Sequence, residues 1–343
     1  MKKIFTYRMA LILALLIIVL AACGEKSQED VLSQLQKNVE DMSGYKAVAE
    51  MSMNTGQEEQ KFNIDVWYKE EDNYRVALEN SVEQNERQII LKNDDGVFVL
   101  TPALDKSFKF QTEWPESSSQ PYLYQSLVND VMKDSEAVFE TTDTHYVFRT
   151  KTNYQSNSNL PFQEIYFDKK SYVPTMVRVL DKDNNALVEV SFSSFDMDPA
   201  FEDDDFSMEK NMASNADATT SAEVQGDDTE TEELAVYYPL YTAGSEVLEK
   251  KEVTLDDGER VILTYDGEKN FTLVEERNHT APALSTPQEV QGEIVNLGHT
   301  IAALSSNTIE WSYNGVDFKL ASDELTQEEM IQVAQSVQGQ EAK

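Results

Sequence analysis

The chain has a single cysteine, Cys23, which excludes an internal disulfide framework and every metal or redox motif built from several cysteines. Positive charge is also scarce. Only 28 Lys and Arg stand against 63 Asp and Glu, a formal net charge of −35, and such a balance repels phosphate backbones and excludes nucleic acid as a natural partner. Of the three histidines, His145, His279 and His299 are scattered, so no shared metal site is expected of them. His-Glu-x-x-His, a Gly-rich phosphate loop and Gly-x-Ser-x-Gly are all missing. Asp181, Asp183 and Asn185 imitate the first positions of a calcium loop, but Ala186 and Phe192 stand where such a loop needs glycine and glutamate, which leaves a hairpin turn as the better reading. Carboxylates are so abundant that a pair at glycosidase spacing arises by chance and identifies no acid or base. No catalytic residue, metal or cofactor is therefore assigned. Disorder is excluded as well, because 40% of the 343 residues are hydrophobic and Trp, Tyr and Phe number 3, 15 and 15.

At about 150 residues per domain the length allows two domains, and the chain divides accordingly. Lys2, Lys3 and Arg8 precede a run from Met9 to Ala22 that carries no charge. That run is shorter than the roughly 20 apolar residues a spanning helix needs, so residues 1–22 read as a secretory signal. Leu20, Ala21, Ala22 and Cys23 resemble the lipobox of bacterial lipoproteins, in which the cysteine sulfur takes a diacylglycerol and becomes the first residue after cleavage. The resemblance implies a protein held at the extracytoplasmic face of the cell membrane by a covalent lipid anchor, with more than one acyl chain for stable attachment. Loss of the three signal cations takes the formal balance from −35 to −38, so the body is pushed off an anionic surface to which the lipid ties it.

Residues 23–207 read as the first domain. Ser27 and Asp30 have capping-box spacing ahead of Leu32, Leu35, Val39 and Met42, one amphipathic helix. The period then changes to two in the rows Ala47-Ala49-Met51-Met53, Phe62-Ile64-Val66 and Tyr74-Val76-Leu78, followed by a hairpin through Asn93-Asp94-Asp95-Gly96. Leu123, Leu127, Val128, Val131 and Met132 return to helical spacing, and short strands resume from His145 to Phe192. From Glu202 to Glu233 there are twelve acids and one base, Lys210, and residues 208–233 read as an acidic, self-repelling linker. Residues 234–343 read as a smaller α+β domain of hairpins, ending in a helix with Thr326 and Glu329 as its capping box.

Trp67-Tyr68, Tyr74-Arg75, Ile89-Ile90-Leu91, Asp95-Gly96 and Val97 to Pro102 resemble the succession of strands in the LolA-like family of lipoprotein carriers and sorting proteins, over about residues 27 to 200. Within it, residues 24–31 and 97–104 resemble the YdcC-type sporulation lipoproteins of endospore-forming bacteria, and the tail from Trp311 to Gly339 resembles a small domain common in their exported proteins. The resemblance implies an α+β fold: an unclosed antiparallel β-barrel with a helical lid, plus the smaller carboxy-terminal domain. It also implies an apolar cavity, whose candidate lining is Phe62, Ile64, Val66, Tyr74, Val76, Leu78, Leu123, Leu127 and Val131. Those residues serve equally as plain core. A shuttle must leave its membrane, whereas Cys23 ties this chain to one. The resulting expectation is a non-enzymatic binding or regulatory protein of the envelope with a protein partner, the alternative being a membrane-bound lipid or lipoprotein chaperone that holds an acyl chain.

Cys23→Ala removes the sulfur on which lipidation depends. Metabolic labelling with a fatty acid is expected to mark the parent and leave the variant unlabelled and unprocessed at this position.

Overall fold

The structure, a computed structural model, describes residues 26–54, 59–81, 87–154, 160–213, 236–255, 258–278, 287–297, 300–313 and 315–337. Leu20 to Cys23, His279, His299 and most of the expected linker lie outside these. The elements are α1 (Gln28–Asp41), β1 (Gly44–Met53), β2 (Gln60–Lys69), β3 (Asn73–Asn80), β4 (Arg87–Asn93), β5 (Gly96–Thr101), β6 (Lys106–Gln111), α2 (Tyr124–Lys133), β7 (Val138–Thr141), β8 (His145–Lys151), β9 (Phe162–Asp168), β10 (Pro174–Leu180), β11 (Ala186–Met197) and α3 (Met208–Ala213). There follow β12 (Ser245–Thr254), β13 (Gly258–Gly267), β14 (Phe271–Asn278), β15 (Gln288–Gln291), β16 (Glu293–Asn296), β17 (Ile301–Leu304), β18 (Thr308–Tyr313), β19 (Val316–Ala321) and α4 (Gln327–Ser336). The architecture is mostly β, with few helices among the described residues.

Twelve strands form one open sheet in the order β15-β6-β5-β4-β3-β2-β1-β11-β10-β9-β8-β7, antiparallel except where β15 joins β6 in parallel. The rows of period two meet across strands: Ala47 opposes Val66, Ala49 opposes Ile64, and Val66 and Ile64 in turn oppose Val76 and Leu78. One face of the sheet is thus continuously apolar, and α1 and α2 pack on it through Val31, Leu35, Leu127 and Val131, all buried.

β4 and β5 break the alternation because both of their faces are covered. Ile90, Val97 and Val99 enter the large core, while Ile89, Leu91, Phe98 and Leu100 join a second cluster on the opposite face with Phe206 and, at its margin, Met208 and Met212. Strands buried on both faces read as unbroken apolar runs. The cover is α3, which occupies the first six residues of the segment expected to be linker. Its Asn211 side chain accepts from Arg75 Nε at 2.6 Å, and Arg75, only 4% exposed, is also held by Asp65 at 3.1 Å and lies over the Trp67 ring. A buried cation needs such partners to be tolerated.

The second sheet runs β12-β13-β14-β19-β18-β17-β16. α4 packs on it through Met330, Val333 and Ala334, and its amino terminus carries the Thr326/Glu329 capping box. Strand β12, paired with β13, stands at the edge of this sheet and is blunted by a bulge at Val247/Glu249 and by Glu249, Lys250, Lys251 and Glu252.

The two sheets share a wall. Ile301 and Ala303 of β17 enter the first core and Ala302 and Leu304 the second, so a strand of pitch two is buried on both sides. The chain changes sheets at Gly292, between β15 and β16, where φ is +138° and an added Cβ would lie 2.3 Å from the Leu304 carbonyl oxygen. Around this wall Gln88 donates to Thr300 Oγ1 (3.0 Å) and accepts from Ile301 N (2.7 Å), Lys106 meets Asp317 at 2.5 Å, and Glu293 accepts from Thr112 and Ser117. No helix among the described residues is long and apolar enough to cross a membrane.

A protease site engineered between residues 214 and 235 severs the chain without touching this wall. The two pieces are expected to co-elute on size-exclusion chromatography under native conditions, separating only in denaturant.

Candidate functional site

The nine residues expected to line a cavity come together in one place. Phe62, Ile64, Val66, Tyr74, Val76, Leu78, Leu123, Leu127 and Val131 all belong to the large core, none more than 5% exposed. Tyr74 and Leu123 also border open space, at the floor of a groove of about 770 Å³. That groove lies outside the core, between α1, the loop at Pro115–Ser118, α2 and the start of the segment after β8.

Each wall follows from its sequence. Ser27 Oγ accepts from Asp30 N and Asp30 accepts from Ser27 N, both at 3.2 Å, which starts α1 at Gln28. With Val31 and Leu35 turned inward, Gln36, Val39 and Glu40 face the groove. α2 has no capping side chain of its own. Instead the Tyr45 hydroxyl accepts from Tyr124 N at 3.2 Å, within an aromatic group in which Tyr45 stacks on Phe195 at 4.8 Å. Burial pushes both phenols up, Tyr124 to about 12, so these hydroxyls stay neutral. Leu127, Val128 and Val131 are buried, which leaves Gln125, Ser126, Asn129, Met132 and Lys133 along the groove.

Two carboxylates anchor the far end. Burial pushes Asp130 above its ordinary value, against the hydrogen bonds that favour its charge, among them one from Gln163 Nε2 at 2.7 Å. At Asp134 burial acts in the same sense but is outweighed: Lys151 N (2.9 Å), Glu136 N (3.0 Å) and the Thr150 hydroxyl (3.0 Å) hold that carboxyl below the usual range. Lys151, ion-paired to Glu136, and Asn153 complete the rim. The groove is mixed in character: Val39, Pro115 and Met132, the last 41% exposed, alternate with amides, hydroxyls and charges of both signs.

Two smaller spaces lie at the shared wall. One of about 210 Å³ is bordered by Phe108, Phe110, Val290, Ile301 and Trp311, and one of about 110 Å³ by Met51, Met53, Tyr122, Leu160 and Ile294. Of the acids at Glu202–Asp205, three share one cation. Lys210, the single base of that stretch, reaches Glu202 at 2.6 Å and Asp204 and Asp205 at 2.8 Å. Asp181 spends its carboxylate on closing a turn, accepting from Asp183 N and Asn185 N at 2.8 Å, and His145 meets Thr144 at 2.8 Å.

A family profile for YdcC-like sporulation proteins matches residues 1–206. Over 345 residues, with all of both chains covered, the sequence is 46% identical to sporulation protein YdcC of Bacillus subtilis strain 168. The chain belongs to the YdcC-like family. Residues 24–31 and 97–104, which carried the resemblance, fall inside the matched range, which ends just before α3. Solved structures resemble it more remotely. A chain of the MucA/MucB complex of Pseudomonas aeruginosa is 13% identical with TM-score 0.33, covering 90% of this chain and 96% of that one. A LolA superfamily protein of Nitrosomonas europaea is 10% identical with TM-score 0.31, covering 54% and 99%. Both superpositions are loose.

The groove was not legible in the sequence, because Gln36, Asn129 and Lys151 are ordinary polar positions until two helices and a loop bring them together. Val66→Trp and Val76→Trp test the packing beneath it. Each is expected to lower unfolding stability by about 1–3 kcal/mol in urea titration, the cost of overfilling a closed interior; unchanged stability would mean a hollow one.

Proposed function

We propose that this YdcC-like chain is a lipid-anchored, non-enzymatic binding or regulatory protein of the cell envelope, serving sporulation or spore-envelope assembly through contacts with another protein. The sporulation role rests on the kinship with the Bacillus subtilis protein. The mode of action rests on one observation: the apolar face is filled by the chain's own side chains, whereas the large groove outside it combines apolar surface from Val39, Pro115, Val128 and Met132 with amides, hydroxyls and charges.

In this reading residues 23–207 form the half-barrel unit, α1 and α2 are its lid, and the lid is fastened. Tyr124 and Tyr45 lock the start of α2, Tyr124 Oη donates to the Tyr172 carbonyl at 3.0 Å, and Leu127 and Val131 fill the space an acyl chain needs. The outer surfaces of the two helices are then the exposed, preorganised part, and preorganisation lowers the cost of association. Cys23 supplies the anchor and holds the groove close to the membrane. The carboxy-terminal unit, joined through the shared wall, keeps the half-barrel rigid.

The test places a photo-crosslinking residue at Gln36 or Met132, on the groove, and at Leu248 on β12 as a control. In sporulating cells the two groove positions are expected to yield one discrete protein adduct and the control none. A phospholipid or acyl chain that co-purifies with the parent and is lost in Val66→Trp would overturn the reading in favour of a lipid carrier.

A further inference from the structure

Strand β14 carries a glutamate where its pattern calls for an apolar residue. Phe271 and Leu273 enter the second core, and Glu275, next on the same face, is 0% exposed between Val261 of β13 and Phe318 of β19. One of its oxygens, Oε2, accepts from Tyr237 N at 3.0 Å. The other, Oε1, is buried and has no hydrogen-bond partner among the described residues. A buried carboxylate half-satisfied in this way is costly when charged and tolerable when neutral.

Tyr237 belongs to residues 236–241, the segment through which the chain enters the second sheet from the acidic stretch. Among the described residues the segment is held by Tyr237, which is buried in the second core and packs edge-on against Phe318 at 5.5 Å, and by bonds to Ser336, whose O accepts from Leu240 N at 3.3 Å and whose Oγ accepts from Tyr241 N at 3.0 Å and donates to Tyr241 O at 3.4 Å. Tyr238, Leu240 and Tyr241 are exposed. We propose that Glu275 is a protonation-controlled latch, which keeps residues 236–241 closed on the carboxy-terminal core while neutral and lets them lift away when it ionises.

The groups facing Glu275 support this assignment. Tyr265 from β13 is near enough to feel its charge, and Lys250 from β12 is a cation whose ammonium is engaged by Glu252 at 2.8 Å. Phe318 of β19, its cross-strand neighbour, contributes apolar surface. Burial, only partly offset by the Tyr237 N–H and by Lys250, raises the Glu275 carboxyl from 4.5 to about 7. Because the closed form holds its proton to higher pH than the open form, closure is fully favoured below about 4.5, weakens through the interval up to about 7, and changes no further above it.

Hydrogen–deuterium exchange on the full chain in detergent micelles, corrected for intrinsic rates, reads this directly. Between pH 5 and pH 7 protection of residues 236–241 is expected to fall by about tenfold per unit, then level off, while β18 and α4 stay protected throughout. In Glu275→Gln, whose amide oxygen still accepts from Tyr237 N, protection is expected to be independent of pH. A parent whose protection does not change with pH, or a variant that keeps the parent's profile, would overturn the proposal. Infrared titration of the parent needs no variant: a protonated-carboxyl band that disappears around pH 7 is expected, and its absence at pH 6 would overturn the proposal equally.

Discussion

Everything in this molecule hangs on the wall formed by β16 and β17. A strand of alternating side chains normally serves one core, but Ile301-Ala302-Ala303-Leu304 serves two, so neither sheet is complete without the other. The hydrogen bonds of Gln88 with Thr300 and Ile301 are buried at the same place, where leaving either partner unmatched costs about 1–3 kcal/mol. Gly292 makes the arrangement possible by turning the chain from one sheet to the other in a backbone conformation that side chains disfavour.

Acidity shapes the surface but is neutralised where it would threaten the fold. Lys210 gathers three carboxylates that would otherwise repel one another beside α3, and Lys106 pairs with Asp317 across the wall. The pairs of Lys210 with Glu202 and Asp204 are exposed and add little stability, whereas Lys106–Asp317 is partly buried. They offset repulsion locally in a chain of net charge −35. The buried ionic groups differ. Arg75 is held by Asp65, Asn211 and the Trp67 ring, whereas Glu275 lacks a donor for one oxygen among the described residues, and that deficit makes its burial sensitive to protonation.

Packing and function meet at the helices. Their inner sides contribute Leu35, Leu127 and Val131 to a core that needs them, which fixes their outer sides as a rigid groove. Rigidity of this origin suits recognition of a protein surface more than uptake of a flexible chain, because a lipid would have to displace side chains already worth roughly 1.5–3 kcal/mol each in burial.

Local signals determined much of the chain. The capping boxes at Ser27 and Thr326 start helices where expected, the period-two rows from Ala47 to Leu78 are cross-strand neighbours, and the residues resembling the YdcC-type proteins lie in the range that the family profile matches. These succeed because capping, alternation and turn chemistry act over a few residues. Ile89-Ile90-Leu91 and Val97 to Leu100 do not alternate, a pattern that calls for a cover on both faces. What supplies that cover, the helix at residues 208–213, became visible only in three dimensions, since its polar composition resembles a linker until Asn211 meets Arg75. The parallel addition of β15 to β6, the two-sided burial of β17 and the groove between α1 and α2 likewise join residues up to some two hundred positions apart. Pairings at such separations depend on loop closure and on which faces remain to be buried once the local elements exist, and that is settled by the tertiary fold alone.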